Sequence, residues 1–181
     1  MIFLIIAAVL GYILVCISTS GPWIHVEFMN GTSWAYSGLM LYWYSDQPGY
    51  FIRPAETLST HEKMALVFMV GAHLLSFACF IFICIVLGKC CRCSPLLILG
   101  GLSLGAGLCA MSAGVAYAIF YRDEIRRVIE DQSQGKFRYS YGFKTSYAAF
   151  AILGLLVPIM TLVIRHKRNR KARIASANYG H

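Results

Sequence analysis

Charged side chains are what this chain most conspicuously lacks. They make up 13% of its 181 residues, while 58% are hydrophobic; ordinary soluble domains carry about a quarter charged. That balance argues against a soluble domain. Four stretches contain no Asp, Glu, Lys or Arg at all: Ile2 to Ile17, Met64 to Leu87, Leu96 to Ile119 and Ser146 to Ile164, of 16, 24, 24 and 19 residues. A membrane-crossing helix needs roughly 20 apolar residues. Four spans are therefore expected, at about 2–20, 64–87, 96–119 and 146–164, the first reaching full length once Ser18 to Ser20 enter the interface.

Between the spans lie two long loops, 18–63 and 120–145, and a short one, 88–95. None is long enough for an independent domain, because segments of about 40 residues rarely fold alone. A single domain, 1–181, is expected. The first stretch lacks a basic leader and a small-x-small cleavage site, so it reads as a retained span rather than a signal peptide.

Acids are absent from the short loop and from the tail. All eight fall in the two long loops, whereas Lys89 and Arg92 mark the short loop and Arg165, Lys167, Arg168, Arg170, Lys171 and Arg173 crowd the tail. By the positive-inside rule this density places both termini in the cytoplasm and the long loops outside. Asn30-Gly31-Thr32 agrees with that side. It is an N-glycosylation sequon at Asn30 and equally a hairpin-turn signal, and the two readings are compatible.

Cysteine is missing from both long loops, which excludes an outer disulfide there and the families whose outer loops depend on one. The seven cysteines include Cys90, Cys91 and Cys93 beside the second span. Juxtamembrane cysteines flanked by bases suit S-palmitoylation; plain reduced thiols are the alternative. Three close thiols without a fourth ligand make a poor metal site.

Enzyme signatures are lacking too. No span holds paired acids, no HExxH occurs, and no nucleophile has a neighbouring base in the sequence. Neither cofactor nor metal is expected. The net charge of +8 lies in a membrane-adjacent tail suited to anionic lipid headgroups rather than nucleic acid.

What the long loops do have is aromatic residues: all three Trp and 15 of the 25 aromatics. Ile24, Val26 and Phe28 alternate with Trp23, His25 and Glu27, which is strand periodicity. Trp34 to Tyr44 forms a second β-prone run, so an outer hairpin is expected, followed by another short strand over Lys136 to Phe143. Tyr121, Ile125, Val128 and Ile129 recur at helical spacing and predict that the third span continues to about Gln132.

Within the spans, Gly101 and Gly105 form GxxxG. Ser103/Gly107, Ala110/Gly114 and Gly114/Ala118 continue the small-xxx-small spacing, which serves bundle packing or dimerisation. Pro158 predicts a kink in the last span. His73 is the sole titratable ring inside a span. It is either a functional group or a neutral imidazole hydrogen-bonded within the bundle.

Four spans, a long first outer loop, Trp23 just after the first span, Gly38-Leu39 in the second run, and Phe137-Arg138-Tyr139-Ser140-Tyr141 before the last span together resemble the claudin, peripheral myelin protein and epithelial membrane protein superfamily, which includes calcium channel gamma subunits. The resemblance covers most of the chain in layout and few positions in motif. The family continues Gly-Leu-Trp-x-x-Cys; here Met40 replaces that Trp and Trp43 stands in place of the first Cys. The resemblance implies an all-α membrane protein, a four-transmembrane-helix bundle with a small extracellular antiparallel β-sheet. It further implies a plasma-membrane protein acting through contacts with other membrane proteins in adhesion, junctions or membrane organisation, or as an auxiliary subunit of an ion channel or receptor. A small transporter or pore using His73 is the third reading. Trp23, Trp34, Gly38, Leu39 and Trp43 are the candidate outer-sheet or partner-contact residues. Aromatic packing, with Trp43 foremost, is expected to hold the hairpin where the family uses a disulfide.

Overall fold

The computed structural model describes residues 2–28, 34–44, 49, 51–52, 54, 56, 58–88, 94–120 and 135–178. In chain order they form α1 (Ile2–Ser20), β1 (Pro22–Phe28), β2 (Trp34–Gly38), β3 (Leu41–Tyr44), β4 (Phe51–Ile52), α2 (Thr60–Gly88), α3 (Ser94–Phe120), β5 (Gly135–Tyr139), α4 (Tyr141–Ala149), a π-helical segment (Phe150–Leu156) and α5 (Val157–Asn178). Four helical rods are long and apolar enough to cross a membrane, the last running unbroken from α4 through α5. The sequon at Asn30, the cysteines Cys90, Cys91 and Cys93, and the expected extension of the third span to Gln132 lie outside the described residues.

The helix ends follow from local chemistry. At the end of α1, Thr19 Oγ1 donates to the Val15 carbonyl and Ser20 Oγ to that of Cys16, each at 2.8 Å, and Pro22 cannot continue the ladder. Before α2, Ser59 and Glu62 form a reciprocal capping box: Ser59 N–H donates to Glu62 Oε2 at 3.0 Å and Glu62 N–H to Ser59 Oγ at 3.2 Å. This box starts the helix at Thr60, inside the expected loop, and explains why Glu62 is buried. The fourth rod likewise begins at Tyr141 rather than Ser146, and the basic tail continues it as helix to Asn178.

Just before Pro158, where a kink is expected, the rod holds a π-helical segment. Val157 N–H bonds the Ile152 carbonyl, five residues back. In that register the next donor would be residue 158, and proline has none. The orphaned Leu153 carbonyl accepts instead from Ser103 Oγ on α3. A side-chain hydroxyl thus replaces a backbone donor, which apolar surroundings demand.

The five strands form one antiparallel sheet ordered β4-β3-β2-β1-β5. The second β-prone run is two strands rather than one, folded back at Leu39-Met40, so that Tyr36 pairs with Trp43. The last β-prone stretch is shorter than expected, because Ser140 ends it and Tyr141 to Phe143 already belong to α4. β5 joins β1 along five pairs from Ile24↔Tyr139 to Phe28↔Gly135 and so stitches the segment after α3 to the one after α1. A register shift between Pro22 and Ile24 breaks the expected alternation, and Trp23 and Ile24 are both buried.

All the strands lie between α1 and α2 or between α3 and α4, at one end of the bundle. Trp23, Ile24 and Leu39 share a core there with Val15, Ala65, Met69, Ala113, Tyr117 and Leu153. A second cluster at the opposite end is mostly aliphatic, built from Leu4, Ile83, Leu96, Leu99 and Val157 together with Cys79. Large apolar side chains cover the outside of the rods, among them Phe3, Ile6, Leu10, Ile13, Val67, Leu74, Leu155 and Ile159. That pattern suits lipid as solvent, where burial of apolar surface is not what joins helices.

Candidate functional site

Where sheet meets bundle, three glycines leave no room for side chains. A Cβ on Gly38 would sit 2.6 Å from the Gly21 carbonyl oxygen, and one on Gly142 2.6 Å from that of Pro22 and 2.9 Å from that of Gly21. Backbone cannot yield as a flexible side chain can, so the three chain segments meet only because these positions are glycine. Trp23 fills the space beside them, fully buried. Its indole Nε1–H donates to the Ser18 carbonyl at 2.6 Å, and Ser18 Oγ donates to the Gly142 carbonyl at 2.8 Å. The indole packs on Tyr117, with centroids 4.8 Å apart, and edge-on to Phe143 at 5.9 Å. Tyr139 stacks on Phe143 at 4.2 Å, and burial there pushes the Tyr139 phenol up from its ordinary value. Ser140 N–H donates to the Trp23 carbonyl at 2.9 Å. The sheet is thereby keyed to α1, α3 and α4 at once.

On the other face of β1, His25 pairs across strands with Arg138 of β5 and Tyr36 of β2, and Tyr36 with Trp43 of β3. Directly opposed residues share a face, so Arg138, His25, Tyr36 and Trp43 form a ladder over four strands. His25 and Tyr36 stack at 4.5 Å, Tyr36 and Trp43 at 6.0 Å. Glu27 Oε1 lies 4.0 Å from His25 Nδ1. The ladder is half-buried in its middle and ends in an exposed Arg138, giving aromatic faces rimmed by charge. Trp, Tyr and Arg are also the residue types enriched among the anchors of protein–protein contacts.

The anticipated site residues separate accordingly. Trp23 and Leu39 are core, and Gly38 is a close-approach position. Trp43, expected to be the packed ring of the hairpin, is half-buried; the fully enclosed ring is Trp23. β3 places Trp43 opposite Tyr36, away from the aromatic cluster around Trp23. Trp34 pairs through its backbone with Glu27; its side chain lies outside the described residues.

Inside the bundle, His73 Nε2 lies 2.9 Å from Thr19 Oγ1. A hydroxyl carries one proton, and Thr19 gives its own to Val15. Thr19 therefore accepts from His73 Nε2–H, and the ring is a tie between α1 and α2. Of the GxxxG pair, Gly105 faces Leu75 whereas Gly101 faces open space. Gly114 contacts Ser146 and Tyr147. The closest approach to backbone falls at Gly107, where any Cβ would overlap the Gly154 backbone. Gly107 belongs to the small-xxx-small series; its partner Gly154 carries no such spacing signal.

Among the described residues no group of three His, Cys, Asp or Glu side chains is placed to hold a metal ion. No known protein family matches the chain, and no curated protein matches it in sequence.

Proposed function

We propose that this is a non-enzymatic, claudin-like four-span protein of the plasma membrane, with both termini cytoplasmic, whose sheet engages other membrane proteins in adhesion, junction or membrane organisation. The observation that carries this reading is the ladder of Arg138, His25, Tyr36 and Trp43 on a sheet keyed rigidly to the bundle. A preorganised aromatic face loses little freedom on binding. His73, engaged by Thr19, supports bundle packing over a pore.

Cell clustering tests the reading. Cells without endogenous adhesion should aggregate when they display the full chain, and Trp43→Ala should abolish aggregation. The same substitution should shift stability by only about 0.5–1.5 kcal/mol, the worth of one aromatic pair. Absence of clustering together with co-purification of large channel subunits in mild detergent would favour an auxiliary-subunit role instead. Protease protection of a tag after His181 in sealed right-side-out vesicles tests the orientation; digestion from outside overturns it.

A further inference from the structure

A cavity of about 520 Å³ lies between the end of α1 and the sheet, lined by Ile17, Ser20, Gly21, Leu41, Trp43 and Tyr141, among others. That volume is within the range of sites holding one small molecule, roughly 300–1,000 Å³. None of its lining residues carries a formal charge. A phospholipid headgroup would have no counter-charge there, whereas an uncharged body with a single hydroxyl would leave no charge unpaired.

Its position narrows the ligand further. Along α1, Phe3, Ile6, Leu10, Ile13 and Ile17 are large, apolar and exposed, spaced three and four residues apart and hence on one side of the helix. The stripe runs along the rod and ends in the cavity, whose rim includes the exposed Ile17, Ser20 and Tyr141. A ligand seated there would lie against lipid-facing α1 with its polar end beneath the sheet, level with the last turn of the span. Ser20 Oγ spends its proton on the Cys16 carbonyl, so its lone pairs face outward as acceptors.

We infer that this cavity binds a sterol-class lipid from the leaflet on the sheet's side, its rings against Ile17, Leu41 and Trp43 and its hydroxyl donating to Ser20 Oγ. The inference goes beyond the adhesion reading and does not rest on it, since its test uses the purified chain alone.

The full chain is reconstituted in phosphatidylcholine vesicles containing a trace of cholesterol analogue with a photoreactive diazirine on its rings, and the adducts are mapped by peptide sequencing. Adducts should concentrate in 13–22 and 36–43, and unlabelled cholesterol in about tenfold excess over half-saturation should reduce them about tenfold, as mass action at one site requires. Leu41→Trp, which fills the cavity, should remove the labelling, while Val67→Trp on lipid-exposed α2 should leave it unchanged. Ser20→Ala, at an exposed position that keeps the fold, should weaken competition by about fivefold, the worth of one hydrogen bond. Labelling spread over all exposed rods, or labelling that excess cholesterol does not reduce, means bulk lipid contact and overturns the inference. Equal labelling of wild type and a folded Leu41→Trp variant overturns it as well.

Discussion

The two ends of the bundle are held by different physics. At the sheet end, hydrogen bonds join Trp23 to Ser18, Ser18 to Gly142, Thr19 to His73 and Glu62 to Ser59. At the opposite end, Leu4, Ile83, Leu96, Leu99 and Val157 meet as an aliphatic cluster. Aliphatic packing tolerates exchange of similar shapes, whereas a buried polar key left half-made costs the full desolvation of the orphan. The end that bears the candidate site is thus the one with more specific polar ties between segments.

A matched glycine pair tests that contrast most severely. Gly142→Val should prevent recovery of a monodisperse protein, because its Cβ meets backbone at 2.6 Å; a loss above about 4–5 kcal/mol belongs to such clashes. Gly101→Ala, in open space, should be neutral or stabilising by up to about 1 kcal/mol, since alanine is the better helix former. Thermal melts in one detergent read both, and similar outcomes would erase the distinction between the ends.

Next in size is Trp23→Ala against Leu99→Ala. The first should cost about 3–5 kcal/mol and the second about 2–5, so the magnitudes overlap and the location decides. Hydrogen exchange should rise across 22–28 and 135–139 for Trp23→Ala alone.

Ser103→Ala should cost about 1–3 kcal/mol by leaving the Leu153 carbonyl unsatisfied. Adding Pro158→Ala restores a backbone donor, so the double variant should recover most of that loss. A double-mutant cycle measures the coupling; strict additivity would refute the account of the π-helical segment.

The smallest effect is alkaline. Tyr139 has its phenol raised by burial from an ordinary 10.0, so the folded state holds its proton more tightly than the unfolded. The associated stability is complete below about pH 10 and is lost as pH rises through the folded value. Tyr139→Phe should flatten the fall in stability over that window.

Much of the architecture was legible. Charge-free runs announced the four rods, because apolar length leaves few alternatives. The period-two run from Ile24 announced β1, whereas hydrophobicity alone placed the start of α2 four residues late, because the capping box of Ser59 and Glu62 is polar. The candidate face was less legible. Trp43 marked it, but nothing local showed that Tyr36 and His25 would stack in line with it, since cross-strand register depends on how the chain turns at Leu39-Met40. Trp23 and Trp43 look equivalent in sequence, and only a register shift in β1 makes the first a core ring.

Composition and periodicity determined that this chain builds four membrane-length helices and small aromatic strands, because transfer of side chains out of water and backbone hydrogen bonding within each segment are local quantities. Tertiary structure alone decided that the strands before α2 and before α4 join in one sheet, that Gly142 rather than Gly101 is indispensable, and that Ser103 supplies the donor for the Leu153 carbonyl. Those outcomes depend on distances between segments more than 40 residues apart, which no local property encodes.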